Sequence, residues 1–377
     1  MTSKARTLTG FVALGLFWGA WAAVLPDVQR GVGASKGALG VALLFVAVGS
    51  VPAMILIAGP AVERFGGRAV AWACAAFAGA AALPGLATSL PVLAGALVLT
   101  GAASGVLDVG INAQAARIER ESERRLMPLA HGLYSTGVLA GAVTAGLARN
   151  AGSGREPILV AVGVLIALTA VVLGRHPDPP MRGTARRARL ERALLVIGLI
   201  GAAAFVVEGA IENWSAIFLE RQLDAEPAVS GLGPGVFGAS MAAGRFLGQA
   251  AGRLSDRVLL TAGASAAAAG CAVVASAPDA AIALVGFAVA GGGISLNAPV
   301  IFGAAGRRRA DAAAAVATVT TLAYLGFFIG PPLLGGLAQA GGLRLAFAVL
   351  TGIAIAVAAA AGRLRVYRDP EPSGRDF

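Results

Sequence analysis

Long apolar segments recur along almost the whole 377-residue chain, separated by short polar connections. An α-helix needs roughly 20 mostly apolar residues to cross the hydrocarbon core of a bilayer. Lipid offers no partners for free backbone groups, so apolar segments of this length are predicted to be helices. Twelve segments qualify: 8–28, 37–61, 69–88, 91–115, 128–149, 157–174, 193–219, 229–251, 258–276, 279–304, 312–338 and 344–362.

Composition supports a membrane protein and argues against other classes. Charged residues make up 13% of the chain, whereas soluble domains carry about 25%. The net charge of +10 comes from short arginine clusters between apolar segments, without a basic face, so nucleic acid is not expected as a partner. Cys74 and Cys271 both lie inside apolar segments, which leaves no disulfide framework and no metal-ligand spacing.

The distribution of Lys and Arg predicts the orientation, because cytoplasmic loops carry the excess of these residues. With the N-terminus in the cytoplasm, 23 of the 30 Lys and Arg residues fall in cytoplasmic segments and 6 in outer connections. This bias predicts an inner-membrane, multi-pass protein with both termini in the cytoplasm. The first apolar segment is long enough to span the membrane, so it is not predicted to be a cleaved signal.

A polar stretch at 175–192 divides six spans from six, and its prolines and charges predict a loop. A short motif, Gly-x-x-x-acid-Arg, occurs at 59–64 after the second span and again at 252–257 after the eighth. Recurrence at equivalent places indicates internal duplication. The predicted organisation is an N-terminal six-helix bundle (1–174), a cytoplasmic linker (175–192), and a C-terminal bundle with a cytoplasmic tail (193–377).

The loop after the second span, GPAVERFGGR at 59–68, resembles the signature loop of the major facilitator superfamily. Glu63 stands where the family has Asp, and Gly67 stands where it has a basic residue. The resemblance implies an all-α membrane fold of two pseudo-symmetric six-helix bundles. The alternative is a tight turn whose arginines only set topology. The implied cytoplasmic gate comprises Gly59, Glu63, Arg64, Gly66 and Arg68, with Arg245, Asp256 and Arg257 in the second half.

Five further stretches resemble the fucose-permease-like branch of that superfamily, which carries sugars together with protons. They are GVLDVGIN at 105–112, LAHGLYSTG at 129–137, EGAIENWS at 208–215, GRFLG at 244–248 and NAPVIF at 297–302. One departure is clear. The fucose permease has an acid four residues before a proline in span one, and the matching position here, four residues before Pro26, is Ala22.

Asp108 is the sharpest candidate for proton coupling, because acids inside membrane spans are costly and usually functional. The resemblance also implies an acid of this role in span four. Asn112 lies one helical turn further on and faces the same side, which suits a polar solute. His131 enters the next span at a similar depth and can share the proton with Asp108. The alternatives are a polar clamp for Asp108 and a backbone hydrogen bond for His131.

The second half offers its own candidates. Glu208 is assigned to proton coupling, while Glu212 and Trp214 are assigned to substrate binding, with Trp214 stacking on a ring. The alternative for Glu212 is simple exposure to outer water. Arg245 is expected to pair with Asp256 or a helix end near the gate, or to bind an anionic substrate. Asn297, which precedes a helix-breaking proline in span ten, completes the predicted substrate contacts together with Trp18 and Trp21 of span one.

The predicted function is secondary active transport of a small, sugar-like solute, coupled to protons. No Walker loop and no soluble-enzyme signature occurs, so neither enzymatic activity nor a cofactor is predicted. The expected partners are a small-molecule solute, protons and membrane lipid, and the expected state is a monomer. Two alternatives remain: a proton-driven exporter of hydrophobic compounds, and a transport-inactive membrane sensor or scaffold.

Overall fold

A computed structural model of the protein describes residues 2–122, 126–175, 192–250, 254–307 and 312–363. The twelve predicted spans appear in chain order as helices. Spans 1 to 6 are Ser3–Gly31, Lys36–Ala53, Gly67–Leu86, Leu90–Ser122, Met127–Asn150 and Arg155–Gly174. Spans 7 to 10 are Arg192–Gln222, Leu232–Ala250, Asp256–Ser276 and Ala280–Ile294. Spans 11 and 12 are the two parts of Ala312–Arg363 on either side of Gly342.

Shorter segments extend three of these spans. A π-helical turn, Met54–Ala58, and a short helix, Gly59–Phe65, continue span 2. The helix Pro227–Ser230 precedes span 8, and Asn297–Gly306 continues span 10. In the described part of the chain, 9 helices are long and apolar enough by themselves to cross a membrane. The predicted linker lies outside the described residues except for its two ends, as does the tail after residue 363.

Spans 1 and 5 end in the same backbone motif on the side that is predicted to face outward. Gly33 has φ of +63° and Gly152 has φ of +90°, a conformation that glycine adopts without steric cost. The residue after each glycine donates its N–H back into the helix, Ala34 to Gln29 and Ser153 to Ala148. These contacts satisfy carbonyls that a helix end leaves open.

The spans pack in equivalent pairs within two bundles. Spans 1 and 5, 2 and 4, and 3 and 6 pair in the first bundle, and spans 7 and 11, 8 and 10, and 9 and 12 pair in the second. Between the bundles, span 5 packs on span 8, span 2 on span 11, and span 1 on span 7. The all-helical, two-bundle fold predicted from the sequence is therefore confirmed.

Glycines permit the closest helix contacts at equivalent places in both bundles. A Cβ on Gly15 or Gly19 would lie 2.0 Å from the carbonyl oxygen of Tyr134 or Val138 on span 5. A Cβ on Gly326 would lie 1.8 Å from the Ala202 oxygen on span 7. Small residues allow membrane helices to approach backbone to backbone, which contributes packing energy that lipid does not supply.

Replacing Gly326 with alanine is therefore expected to destabilise the protein. Spans 7 and 11 must separate to admit the methyl group, and overpacking of this kind costs about 1–3 kcal/mol. Gly352→Ala is the matched control, because its Cβ would meet nothing within 4 Å. Thermal unfolding of the detergent-purified variants measures the effect. Equal melting temperatures for the two variants would contradict the packing argument.

Candidate functional site

Asp108 and Asn112 form a hydrogen-bonded pair near the middle of span 4. The Asn112 side chain donates to the Asp108 carboxylate and to the Asp108 backbone oxygen, at 2.9 Å in each case. Both residues are half-buried. The one-turn spacing therefore brings a carboxylate and an amide together on one helix face, as the sequence predicted.

Three further charged groups lie on spans 7 and 8 of the second bundle. Glu208 on span 7 is buried, and its carboxylate lies 3.8 Å from the Arg245 guanidinium of span 8. Arg245 also donates to the backbone oxygen of Ser295 at 3.4 Å, where span 10 is interrupted. Glu212 lies one turn beyond Glu208 and interacts electrostatically with both Glu208 and Arg245. Simple exposure of Glu212 to outer water does not fit this position.

Two tyrosines connect the groups of the two bundles. Tyr134 on span 5 lies close enough to Asp108, Glu208, Glu212 and Arg245 to interact with all of them electrostatically. Tyr324 on span 11 has the same relation to Asp108, Glu208 and Arg245. Sequence reasoning did not select either tyrosine. Tyr134 was detectable in principle, because it falls three residues after His131 in a span with few polar side chains.

These side chains are deep in the protein and yet remain accessible. The Arg245 side chain is 24% exposed and the Glu208 side chain 12% exposed. Both side chains can therefore still contact solvent or a solute. We call this set the central cluster: Asp108, Asn112, Tyr134, Glu208, Glu212, Arg245 and Tyr324. Chemically, it offers three carboxyl groups that can carry protons, one fixed cation, and hydroxyl and amide groups that can bind a polar solute.

His131 does not have the neighbour expected, whereas Arg245 contacts a helix end, as one of its predicted alternatives, but not Asp256. The His131 ring packs edge-on against Phe11, with centroids 5.5 Å apart. Its charged neighbour is Arg245, and no contact among the described residues joins it to Asp108. Arg245 pairs with Glu208 rather than with Asp256, because Asp256 forms an ion pair with Arg307 instead.

The predicted substrate residues of spans 1, 7 and 10 lie in more enclosed positions. The Trp214 ring is fully buried, and its N–H donates to the Pro331 oxygen at 3.0 Å, so it fastens span 7 to span 11 and presents no free face. Trp21 is 1% exposed, whereas Trp18 is half-buried beside Phe17. Asn297 is buried, and its side-chain oxygen has no hydrogen-bond partner among the described residues.

The predicted cytoplasmic gate loop forms a sharp turn between spans 2 and 3. Gly66 ends the short helix with φ of +56°, which explains the requirement for glycine at this position. The Arg64 guanidinium lies over the Phe65 ring at 5.3 Å. Glu63, Arg64 and Arg68 are exposed, and none of them forms an ion pair with another described residue. Arg257, in the equivalent turn of the second half, is also exposed.

The side that is predicted to face outward carries a charge network that the sequence did not indicate. Arg149, at the end of span 5, donates to the Asp27 carboxylate at 2.6 and 2.7 Å and to Glu220 at 2.9 Å. It also donates to Ser230 and to the backbone oxygen of Ala23. The Arg149 side chain is only 1% exposed. This outer network, Asp27, Arg149, Glu220 and Ser230, joins spans 1 and 5 to span 7 and the helix before span 8.

Asp27 is less exposed than its place near the end of span 1 suggests. Its side chain is 20% exposed and is held by Arg149 and Arg30. Arg149 and Glu220 also belong to helix ends rather than to open loops. The only sequence signal was a charged residue in the last turn of each span, which by itself does not identify its partner.

No metal site emerges from this geometry. Within the described ranges, no group of three His, Cys, Asp or Glu side chains is placed to hold a metal ion. Both cysteines are free and buried.

Comparison with known proteins agrees with the fold. The chain is 31% identical to an uncharacterised MFS-type transporter of Yersinia pestis, covering 96% of this chain and 95% of the relative. The solved D-xylose–proton symporter superposes with a TM-score of 0.76 at 14% identity, covering 96% of each chain. The fucose:proton symporter of E. coli superposes with a TM-score of 0.63 at 15% identity, covering 95% of this chain and 97% of that one.

At such identities the two solved structures establish a shared fold and no more. The sequence-level match goes further, because the family model for the Major Facilitator Superfamily matches residues 7–323. The protein is a multi-pass membrane protein whose relative is named as a transporter. The chain belongs to the Major Facilitator Superfamily.

Proposed function

We propose that the protein is a proton-coupled secondary transporter that moves a small, polar, sugar-like solute across the inner membrane by alternating access. One observation carries the proposal: ionisable groups from spans 4, 7 and 8 converge between the two bundles and remain accessible. Charges at membrane depth are costly and occur where a solute or ion passes. The two solved symporters that share the fold carry their sugars with protons, which supports this choice of chemistry.

Each member of the central cluster has a role in this proposal. Asp108 loads and releases the proton, because it is a carboxyl group accessible from the cavity and held by a neutral amide rather than by a cation. Glu208 alternates between its Arg245 ion pair and a proton. Asn112 and the two tyrosines bind the solute hydroxyl groups. Glu212 and Asn297 also contact the solute, while His131, which lies beside Arg245, carries a proton on its own imidazole ring.

The outer network supports a conformation that is closed on the outside. It links the two bundles through buried charged groups, whereas the loop residues Glu63, Arg64 and Arg68 are exposed and lack ion pairs among the described residues. In the proposed cycle, the bundles 1–174 and 193–377 rock about the cavity, and the gate loop closes the cytoplasmic side when the outer network opens. Both termini stay in the cytoplasm, and the protein works as a monomer.

Transport by purified protein tests the proposal. Thermal-shift screening against neutral polar metabolites first identifies a solute, and proteoliposomes containing a pH-sensitive dye then report proton movement on solute addition. We expect the solute gradient to drive protons in the same direction as the solute. Proton movement in the opposite direction would indicate an exporter. Binding without any solute or proton flux would leave only the sensor or scaffold alternative.

A further inference from the structure

A recess of about 340 Å³ opens on the outer side beside the outer network. It is lined by three cationic side chains, Arg30, Lys36 and Arg221, together with Gln29, Gly33 and Ala34. No acidic residue lines it. Residues 29–36 belong to the first bundle, whereas Arg221 belongs to span 7 of the second, so both bundles contribute to the recess.

The other outer cations are already bound to protein groups. Arg149 is held in the outer network. Arg155 donates to backbone oxygens, including those of Gly85 and Ala87, and Arg344 donates to those of Ala275 and Ala277. Of the six Lys and Arg residues predicted on the outer side, the other three, Arg30, Lys36 and Arg221, surround one recess.

The acids nearby do not bind all three of these cations. Arg30 shares Asp27 and Glu220 with Arg149, so two carboxylates serve two guanidinium groups. Lys36 and Arg221 have no hydrogen bond or ion pair through their side chains to any residue that the structure describes. Asp224 and Glu226 follow Arg221 in the chain, but neither forms an ion pair with it.

Two further features increase the positive potential. Lys36 is the first residue of span 2, an 18-residue helix whose N-terminus points its dipole toward the recess side. Arginine does not lose its proton in proteins, so Arg30 and Arg221 remain charged, unlike buried carboxylates, which can be neutralised. Cationic residues are also disfavoured on the outer side of membrane proteins, which makes three around one recess unusual.

We propose that this outer recess binds a phosphate group, which Lys36, Arg30 and Arg221 hold by charge-assisted hydrogen bonds. The phosphate belongs either to an anionic lipid headgroup of the outer leaflet or to a soluble phosphate. Because the two bundles both line the recess, the bound anion favours the conformation that is closed on the outside. The proposal does not depend on the solute in the central cavity or on proton coupling.

The test compares the full-length protein with the double variant Lys36→Ala/Arg221→Ala. In detergent, inorganic phosphate is titrated against sodium chloride at constant ionic strength, and the melting temperature is recorded. In nanodiscs, phosphatidylcholine is compared with mixtures containing phosphatidylglycerol. The control, Arg120→Ala/Arg363→Ala, removes two cations from the cytoplasmic ends of spans 4 and 12.

We expect phosphate, phosphatidylglycerol or both to raise the melting temperature of the wild type and the control. In the double variant, the shift in melting temperature should disappear or require roughly tenfold or more phosphate. The loss of one charge-assisted contact weakens binding by about that factor. A shift in the soluble arm alone identifies a free anion, and one in the nanodisc arm alone identifies lipid. An equal shift in the double variant, or no shift in either arm, would overturn the proposal.

A conformational measurement separates binding at this recess from general stabilisation. Ala142 is buried where span 5 meets span 8, so a cysteine introduced there is labelled only when these two spans separate. The two native cysteines are also buried and do not compete for the label. The stabilising anion should slow labelling of this cysteine severalfold in the wild-type background and leave the rate unchanged with Lys36→Ala/Arg221→Ala. Unchanged labelling in both backgrounds would contradict the coupling to closure.

Discussion

Asp108→Asn will abolish solute-driven proton movement while leaving the protein folded. Asparagine keeps the oxygen that accepts the Asn112 hydrogen bond, but it cannot carry a proton. We expect the proton signal in proteoliposomes to fall to the level of protein-free vesicles, a loss of about a hundredfold or more, as is typical when an essential proton carrier is removed. Solute binding, measured by thermal shift, should persist, because the amide pair and the tyrosines remain.

The control for this experiment removes an acid outside the cavity. Asp279 caps the start of span 10 by accepting from the Ile282 N–H, and asparagine is an equally good cap. Asp279→Asn should therefore transport normally. If Asp108→Asn still moved protons with solute at the wild-type rate, Asp108 would not be the proton carrier, and Glu208→Gln would be the next variant to measure.

Arg149→Ala will open the outer side and destabilise the protein. The substitution leaves Asp27 and Glu220 with only the half-exposed Arg30 as a shared cation, and removing one partner of a buried ion pair costs about 3–5 kcal/mol. The Arg149 side chain is 1% exposed and the Glu220 side chain 9% exposed, so water cannot replace the lost contacts fully. We expect a lower melting temperature and faster labelling of a cysteine introduced at Ala142.

Two companion variants separate charge from simple loss of packing. Arg149→Lys keeps the charge but loses the paired donors, so it should recover only part of the stability. Asp27→Asn/Arg149→Met/Glu220→Gln removes the whole set of charges and should be more stable than Arg149→Ala, because no unpaired charge remains buried. If Arg149→Ala were as stable as wild type and labelled at the same rate, the network would not hold the outer side closed.

The sequence predicted the structural features that depend on one helix alone. The length and apolarity of each segment predict the spans, since lipid admits little else, and the twelve helices appear where expected. The Asp108–Asn112 pair also follows from spacing within one helix. Glycines four residues apart, such as Gly15 and Gly19, lie on one helix face for the same reason, and small residues on one face allow a close helix contact.

Contacts between distant spans were not predictable in the same way. Asp27, Arg149 and Glu220 each look like a charge at the wet end of a helix, and only the folded arrangement makes them partners. Tyr324 and Trp214 show that the environment of an aromatic residue was equally unpredictable. Both are aromatic residues in apolar helices, but one faces the central cluster, whereas the other is packed against Pro331. Periodicity does not distinguish these environments in a helix that is surrounded by other helices.

The interlocked glycines of spans 1 and 5 have a consequence for how the protein moves. A Cβ on Gly137 or Gly141 would lie 2.5 Å from the Val12 oxygen or 2.1 Å from the Leu16 oxygen, so the two backbones are notched into each other from both sides. Sliding one helix along the other would drive carbonyl oxygens into α-carbons. Spans 1 and 5 must therefore move together as one rigid body. Tyr134 can contact a different residue only when both spans tilt together.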